Sequence, residues 1–203
     1  MTIVDAHSGT TPPPLDAVAS ALQPSVDRLC QGGCPGTPTV SDADQPPAGV
    51  PAGFLTSGDL PRVNPGAGVW IGAQLQPMAL AGSGCEAVDL TAVPKATAAA
   101  QQAFVLKGDP QSSPNFGLDQ VLYTFASDAD ATAFAAGLLN NLRSCTATTP
   151  TATVRPLGTL PAPAVGQLFT VDQRTSLDRL ARSRVMVGAT GVHVVYVAAN
   201  PPP

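Results

Sequence analysis

Residues 120–145 read QVLYTFASDADATAFAAGLLNNLRSC, and this stretch decides the fold class. Its first six residues, Gln120 to Phe125, alternate, with Leu122 on one face and Tyr123 and Phe125 on the other, the period-two signature of a half-buried strand. Ser127 follows as an N-cap, with Asp128 and Asp130 in the first helical turn, where negative charge complements the helix dipole. Ala131, Phe134, Ala135, Leu138, Leu142 and Cys145 then form one apolar stripe at helical spacing, predicting an amphipathic helix over residues 128–145 that packs on a sheet. Gly137 lies off that stripe; it weakens the helix and is expected to admit a close approach by another segment.

Working outward, the upstream strands are residues 69–71 around Trp70, and residues 101–106, with Phe104 and Leu106 on one face. Residues 109–115 carry Pro110 and Pro114 and read as a long mobile loop between two strands. In residues 55–60, Thr56 and Ser57 precede Asp59 and Pro61, which predicts one short helical turn entering the domain. Downstream, residues 151–157, 166–173, 180–188 and 192–199 are each rich in Val, Thr, Phe or Tyr, and the last two join through Ala189, Thr190 and Gly191 as a hairpin. Consecutive strands after one helix favour an α+β fold, because parallel pairs would need crossover helices between them. The expected architecture is a mostly antiparallel β-sheet with helices packed on one face, stabilised by disulfides. The other face is left for solvent, a ligand or a partner.

The chain has 203 residues, enough for one domain with a core plus an attached segment. Residues 1–53 are interrupted by nine prolines and read as a proline-rich arm or tether. Within it, Leu15, Val18, Leu22, Val26 and Leu29 recur at helical spacing and predict a short docking helix broken near Pro24. Residues 54–200 form the folded domain. No run of eighteen apolar residues is present, so no membrane-spanning helix is expected.

A net charge of −4, a pI near 4.8 and only ten scattered Lys and Arg residues exclude a nucleic-acid partner, since phosphate binding needs clustered cations. Four cysteines, Cys30, Cys34, Cys85 and Cys145, occur in a chain with two histidines, which favours disulfides over a metal site. His7 and His193 have no ligand spacing to any of them, so neither metal nor cofactor is expected. Of the three connectivities, Cys85 with Cys145 and Cys30 with Cys34 is expected, because the N-terminal pair is already close in sequence. Disulfides imply an oxidising compartment, yet residues 1–9 contain neither a signal-peptide pattern nor a lipobox cysteine. A start methionine of other origin or a removed anchor reconciles the two; reduced thiols in a cytosolic protein are the remaining explanation.

Enzyme signatures of the GxSxG, GxxxxGK[ST] and HExxH kinds are absent, and the glycine clusters around Gly66 and Gly82 lie outside any strand-to-helix turn, so they read as turns. No catalytic residue is assigned: His193 reads as a structural or solvent-facing side chain of the last strand, and Asp172 and Asp178 as residues bracketing a turn. Four arginines carry the best functional signal. Arg182 and Arg184 are two apart and share a strand face, and Arg155 or Arg174 can join them across the ladder as an anion-reading floor for a carboxylate or phosphate headgroup. The ordinary alternative is pairing with Asp172 or Asp178 on a solvated face. Trp70, the sole tryptophan, either stacks on a ligand or anchors the core.

The order LTSGDLP, Trp70, Cys85, a strand, YTFASDADATAFAAGLLNNLRSC and a closing GATGVHVVYVAA hairpin resembles the actinobacterial sensor-domain family, similar to the extracellular domain of the mycobacterial Ser/Thr kinase PknH and related cell-envelope lipoproteins. The similarity spans roughly residues 54–199, and the composition, with few charges, abundant Ala, Pro, Gly and Thr, and Arg well above Lys, is of the same actinobacterial kind. It implies an exported domain with a mostly antiparallel sheet, internal disulfides and a cleft for a small ligand. The chain departs from the family in placing its second cysteine pair at Cys30 and Cys34, ahead of the domain, and in lacking a kinase segment within these residues. The function expected is therefore a non-enzymatic, extracytoplasmic ligand-binding or sensor domain of the cell envelope, whose partner is a small molecule or lipid headgroup. An accessory subunit of a membrane or envelope protein complex is the rival, and a lipid-carrier lipoprotein or an unrecognised hydrolase are weaker ones.

Overall fold

In a computed structural model, the chain divides into two units after Gly49, and residues 53–61, 63, 68–80, 82–113, 116–176 and 179–200 of the second are described. The expected docking helix and the Cys30–Cys34 pair lie outside the described residues, as do Asp178 and His7. Seven strands and one helix make up the described fold: β1 Val69–Leu75, β2 Ala96–Lys107, β3 Gly117–Phe125, α1 Asp128–Thr148, β4 Ala152–Thr159, β5 Val165–Ser176, β6 Arg179–Thr190 and β7 His193–Ala199. All strands form one sheet in the order β1-β2-β3-β7-β6-β5-β4, and every neighbouring pair is antiparallel.

The last strand thus lies in the middle. β1 to β3 form one meander, α1 carries the chain over the sheet to the far edge, and β4 to β7 meander back until β7 closes on β3. Counting antiparallel steps from β3 to β4 makes those two strands parallel to each other, so α1 is a crossover between parallel strands that never touch.

Alternation sorts the core. Val121, Tyr123, Val194, Tyr196, Val185, Val187, Phe169 and Val171 are at most 1% exposed and face α1. Their registers agree across strands, Val121 with Tyr196, Tyr123 with Val194, and Tyr196 with Val187. From the helix, Ala131, Ala135, Leu138, Leu139, Leu142 and Cys145 meet this face, and Phe134 stacks edge-on against Tyr123 with centroids 5.4 Å apart. Ser127 Oγ accepts from Asp130 N at 3.2 Å, as an N-cap should. Cys85 and Cys145 form a disulfide with sequence separation 60, anchoring the long β1–β2 connection to the end of the helix.

Several expectations need correction. Residues 56–59 form a hydrogen-bonded turn, in which Thr56 N and Oγ1 both donate to Asp59 Oδ2, instead of a helical turn, while one helix covers the sheet among the described residues. A Cβ added at Gly137 would meet nothing within 4 Å, so this glycine serves no close approach. The β2–β3 loop is tied by Asp109, whose carboxylate accepts from Gln111 N and Ser112 Oγ.

The second sheet face is covered over its first half and open over its second. Gln120 Nε2 donates to Gly53 O and Leu55 N donates to Gln120 Oε1, laying residues 53–55 against β3. Phe104 and Leu106 of β2 are buried on that side. Toward β5 and β4 the same face presents exposed arginines.

Candidate functional site

On β4, β5 and β6, two rows of side chains point away from α1. Register aligns Arg155, Thr170 and Arg184 across the three strands, and the next row holds Thr153, Asp172 and Arg182. Strands lie about 4.8 Å apart, which sets Arg155 and Arg184 about 10 Å from each other with the Thr170 hydroxyl between them. Arg184 Nη1 donates to Thr170 Oγ1 at 2.7 Å. Arg182 Nε stands 3.6 Å from Asp172 Oδ1, close enough for charge attraction and too far for a hydrogen bond. That oxygen is buried and has no hydrogen-bond partner. The Arg155 side chain makes no hydrogen bond or ion pair among the described residues.

Arg155, Thr170, Asp172, Arg182 and Arg184 line a cleft of about 420 Å³, with Pro156 and Leu157 as an apolar wall. The wall arises from the edge position of β4: Pro156 lacks an N–H, which an edge strand tolerates, and the register shifts between Pro156 and Gly158, turning Leu157 outward to 50% exposure. The cleft thus gathers three guanidinium groups and one carboxylate, and of the three only Arg182 stands within ion-pair distance of it. Two spare positive charges in a protein of net charge −4 make this a local reversal of its field.

Of the arginines expected in the floor, Arg155, Arg182 and Arg184 come together and Arg174 does not. It sits two residues beyond Asp172, in register with Leu180 near the β5–β6 hairpin, and is not among the residues that line the cleft. Trp70 lies on β1, at the opposite edge of the sheet from β4, with its Nε1 donating to Pro61 O at 2.9 Å and its ring 5.5 Å from Phe116. It is a packing anchor remote from the arginines. His193 Nδ1 contacts Thr124 Oγ1 at 3.2 Å at the exposed start of β7.

A second cluster escaped the sequence reading. Glu86, the only glutamate, is 2% exposed beside the disulfide, and its Oε1 accepts from Tyr196 OH and Ser83 Oγ, both at 2.6 Å, while Ser83 N donates to both oxygens. Asn141 Nδ2 donates to the Glu86 carbonyl from α1, and Tyr123 OH donates to Leu90 O. Burial, followed by nearby carboxylates, pushes both phenols well above the usual tyrosine range. A small cleft of about 310 Å³ lies beside this loop, lined by Leu80, Gly84, Glu86, Val88 and Asp89 among others. The Glu86 oxygens are already filled by internal donors, so the cluster clamps the loop to the core and leaves little for a ligand. Only the buried state of Glu86 and a partner 110 residues away mark it, and neither can be read from the sequence.

Groups of three or more metal-ligating side chains are absent among the described residues. No described helix is long and apolar enough to cross a membrane. No protein-family model, curated protein or solved structure matches this chain.

Proposed function

We propose that this chain is a non-enzymatic, extracytoplasmic binding domain of the sensor type, which holds a small anion or an anionic headgroup in the cleft of Arg155, Arg182 and Arg184. One observation carries the reading: three arginines converge on a cleft that supplies a single carboxylate to balance them. Guanidinium groups match carboxylate and phosphate oxygens with paired donors, and the Thr170 hydroxyl adds a further polar contact between Arg155 and Arg184. The backbone of the site is paired on β4, β5 and β6, so little backbone ordering opposes binding. The buried Cys85–Cys145 bridge is compatible with an oxidising, extracytoplasmic setting.

An accessory-subunit role is the second reading, favoured by Val69 and Ile71, which are 64% and 53% exposed on the edge strand β1. An exposed, uncharged edge can accept a partner's strand.

Isothermal titration of the whole chain with inorganic phosphate and with citrate tests the leading reading. Measurable binding that weakens at least about tenfold in the R182Q/R184Q double variant is expected, since each charge-assisted hydrogen bond contributes about 1.5–3 kcal/mol. Equal affinity in the double variant would remove the cleft from the function.

A further inference from the structure

The arginine cleft is electrostatically lopsided. Arg155 and Arg184 form a purely cationic row with Thr170, whereas the adjacent row contains Asp172, whose Oδ1 is buried without a hydrogen bond and faces Arg182 only at 3.6 Å. A buried carboxylate oxygen without a donor is costly, and a ligand that supplies the donor recovers that cost. Arg182 is well placed to yield: its side chain is 59% exposed, and no short bond holds it to Asp172. Residues two apart on a strand are separated by about 6.7 Å, so the anion-seeking row and the donor-seeking carboxylate lie within reach of one small molecule.

Building on the anion-binding reading above, we infer that the cleft selects a zwitterion, a phosphate or carboxylate with a protonated amine a few bonds away, over a bare anion. The acid group sits between Arg155 and Arg184, drawing Arg182 toward it, and the ammonium takes the place of Arg182 at Asp172. Pro156 and Leu157 provide the apolar flank for the short carbon linker. A free amino-alkyl phosphate and the headgroup of an aminophospholipid share this chemistry.

Calorimetric titration with O-phosphoethanolamine and with ethyl phosphate, which lacks the amine, decides the point. The wild-type chain is expected to prefer O-phosphoethanolamine by about tenfold, the worth of one charge-assisted hydrogen bond. In D172N that preference should disappear, and ethyl phosphate should bind at least as tightly as before because Arg182 is released. Equal affinities for the two compounds in the wild type would overturn the inference while leaving the anion site standing. Failure of both compounds to bind would overturn both. Because the comparison is made first in the unaltered chain, it does not depend on how D172N folds. Sedimentation with phosphatidylcholine vesicles, with and without phosphatidylethanolamine, identifies the source: retention that needs phosphatidylethanolamine, whose amine can donate where choline cannot, indicates a lipid headgroup. Binding of the free compound without vesicle retention indicates a soluble zwitterion.

Discussion

Tyr123 and Tyr196 are the only tyrosines in the chain, and both turn their hydroxyls inward, to the Leu90 carbonyl and to Glu86 Oε1, each at 2.6 Å. Burial is the leading reason that both phenols ionise only far above their ordinary range, with negative charge on Glu86 adding to it. In the unfolded chain a tyrosine loses its proton near pH 10. Above that pH the folded state holds more protons than the unfolded one, so stability is full below about pH 10 and falls as pH rises through it. An alkaline titration followed by phenolate absorbance and far-ultraviolet circular dichroism should therefore show phenolate only as the fold is lost. A reversible phenolate signal with the fold intact would contradict the buried network. At this scale the sequence carried part of the candidate site. The spacing of Arg182 and Arg184 placed both on one face, because side chains alternate along a strand. It could not choose between Arg155 and Arg174, since that depends on the β4–β5 register, and for the same reason it missed Thr170; Asp172 it named as a pairing partner of the arginines, and the structure sets it 3.6 Å from Arg182.

At the scale of elements, α1 was legible nearly end to end because its cap, first-turn acids and stripe all act locally. It runs three residues past Cys145 to Thr148. Gly137 is the weak link: it is exposed, it has no positive φ, and an added methyl group would meet nothing. The G137A variant should gain up to about 1 kcal/mol in urea denaturation, from helix propensity and reduced unfolded-state freedom. A loss of stability would mean that the exposed helix face carries a contact. The strands were read too short where composition is poor in β-formers. Residues 96–100 of β2 are four alanines and a threonine, and in β1 the pattern stops at Gly72, yet both stretches pair with neighbours. Tertiary pairing overrides weak β-propensity. Gly72 has its own reason, since a Cβ there would come within 2.7 Å of the Phe104 ring.

Across the whole molecule, the Cys85–Cys145 bridge ties the β1–β2 connection to the end of the crossover helix, and both cysteines are buried, at 3% and 1% exposure. A bridge closing some sixty residues restricts the unfolded chain, so the C85A/C145A variant should lose about 4 kcal/mol of unfolding free energy in the chain-entropy model. Guanidinium denaturation of the oxidised chain and of the variant measures this, and coincident transitions would show that the bridge contributes nothing. The antiparallel α+β class and the capped helix were legible in the sequence, since alternation and capping are local properties, whereas four cysteines allow three pairings and the structure joins Cys85 to Cys145. Packing, by contrast, sets β7 in the middle of the sheet, lays residues 53–55 against the second face beside β3, and buries Glu86 next to the disulfide. It also decided which arginines share a cleft. Each of these depends on contacts between residues far apart in the chain, where register and burial arise from packing the whole sheet at once.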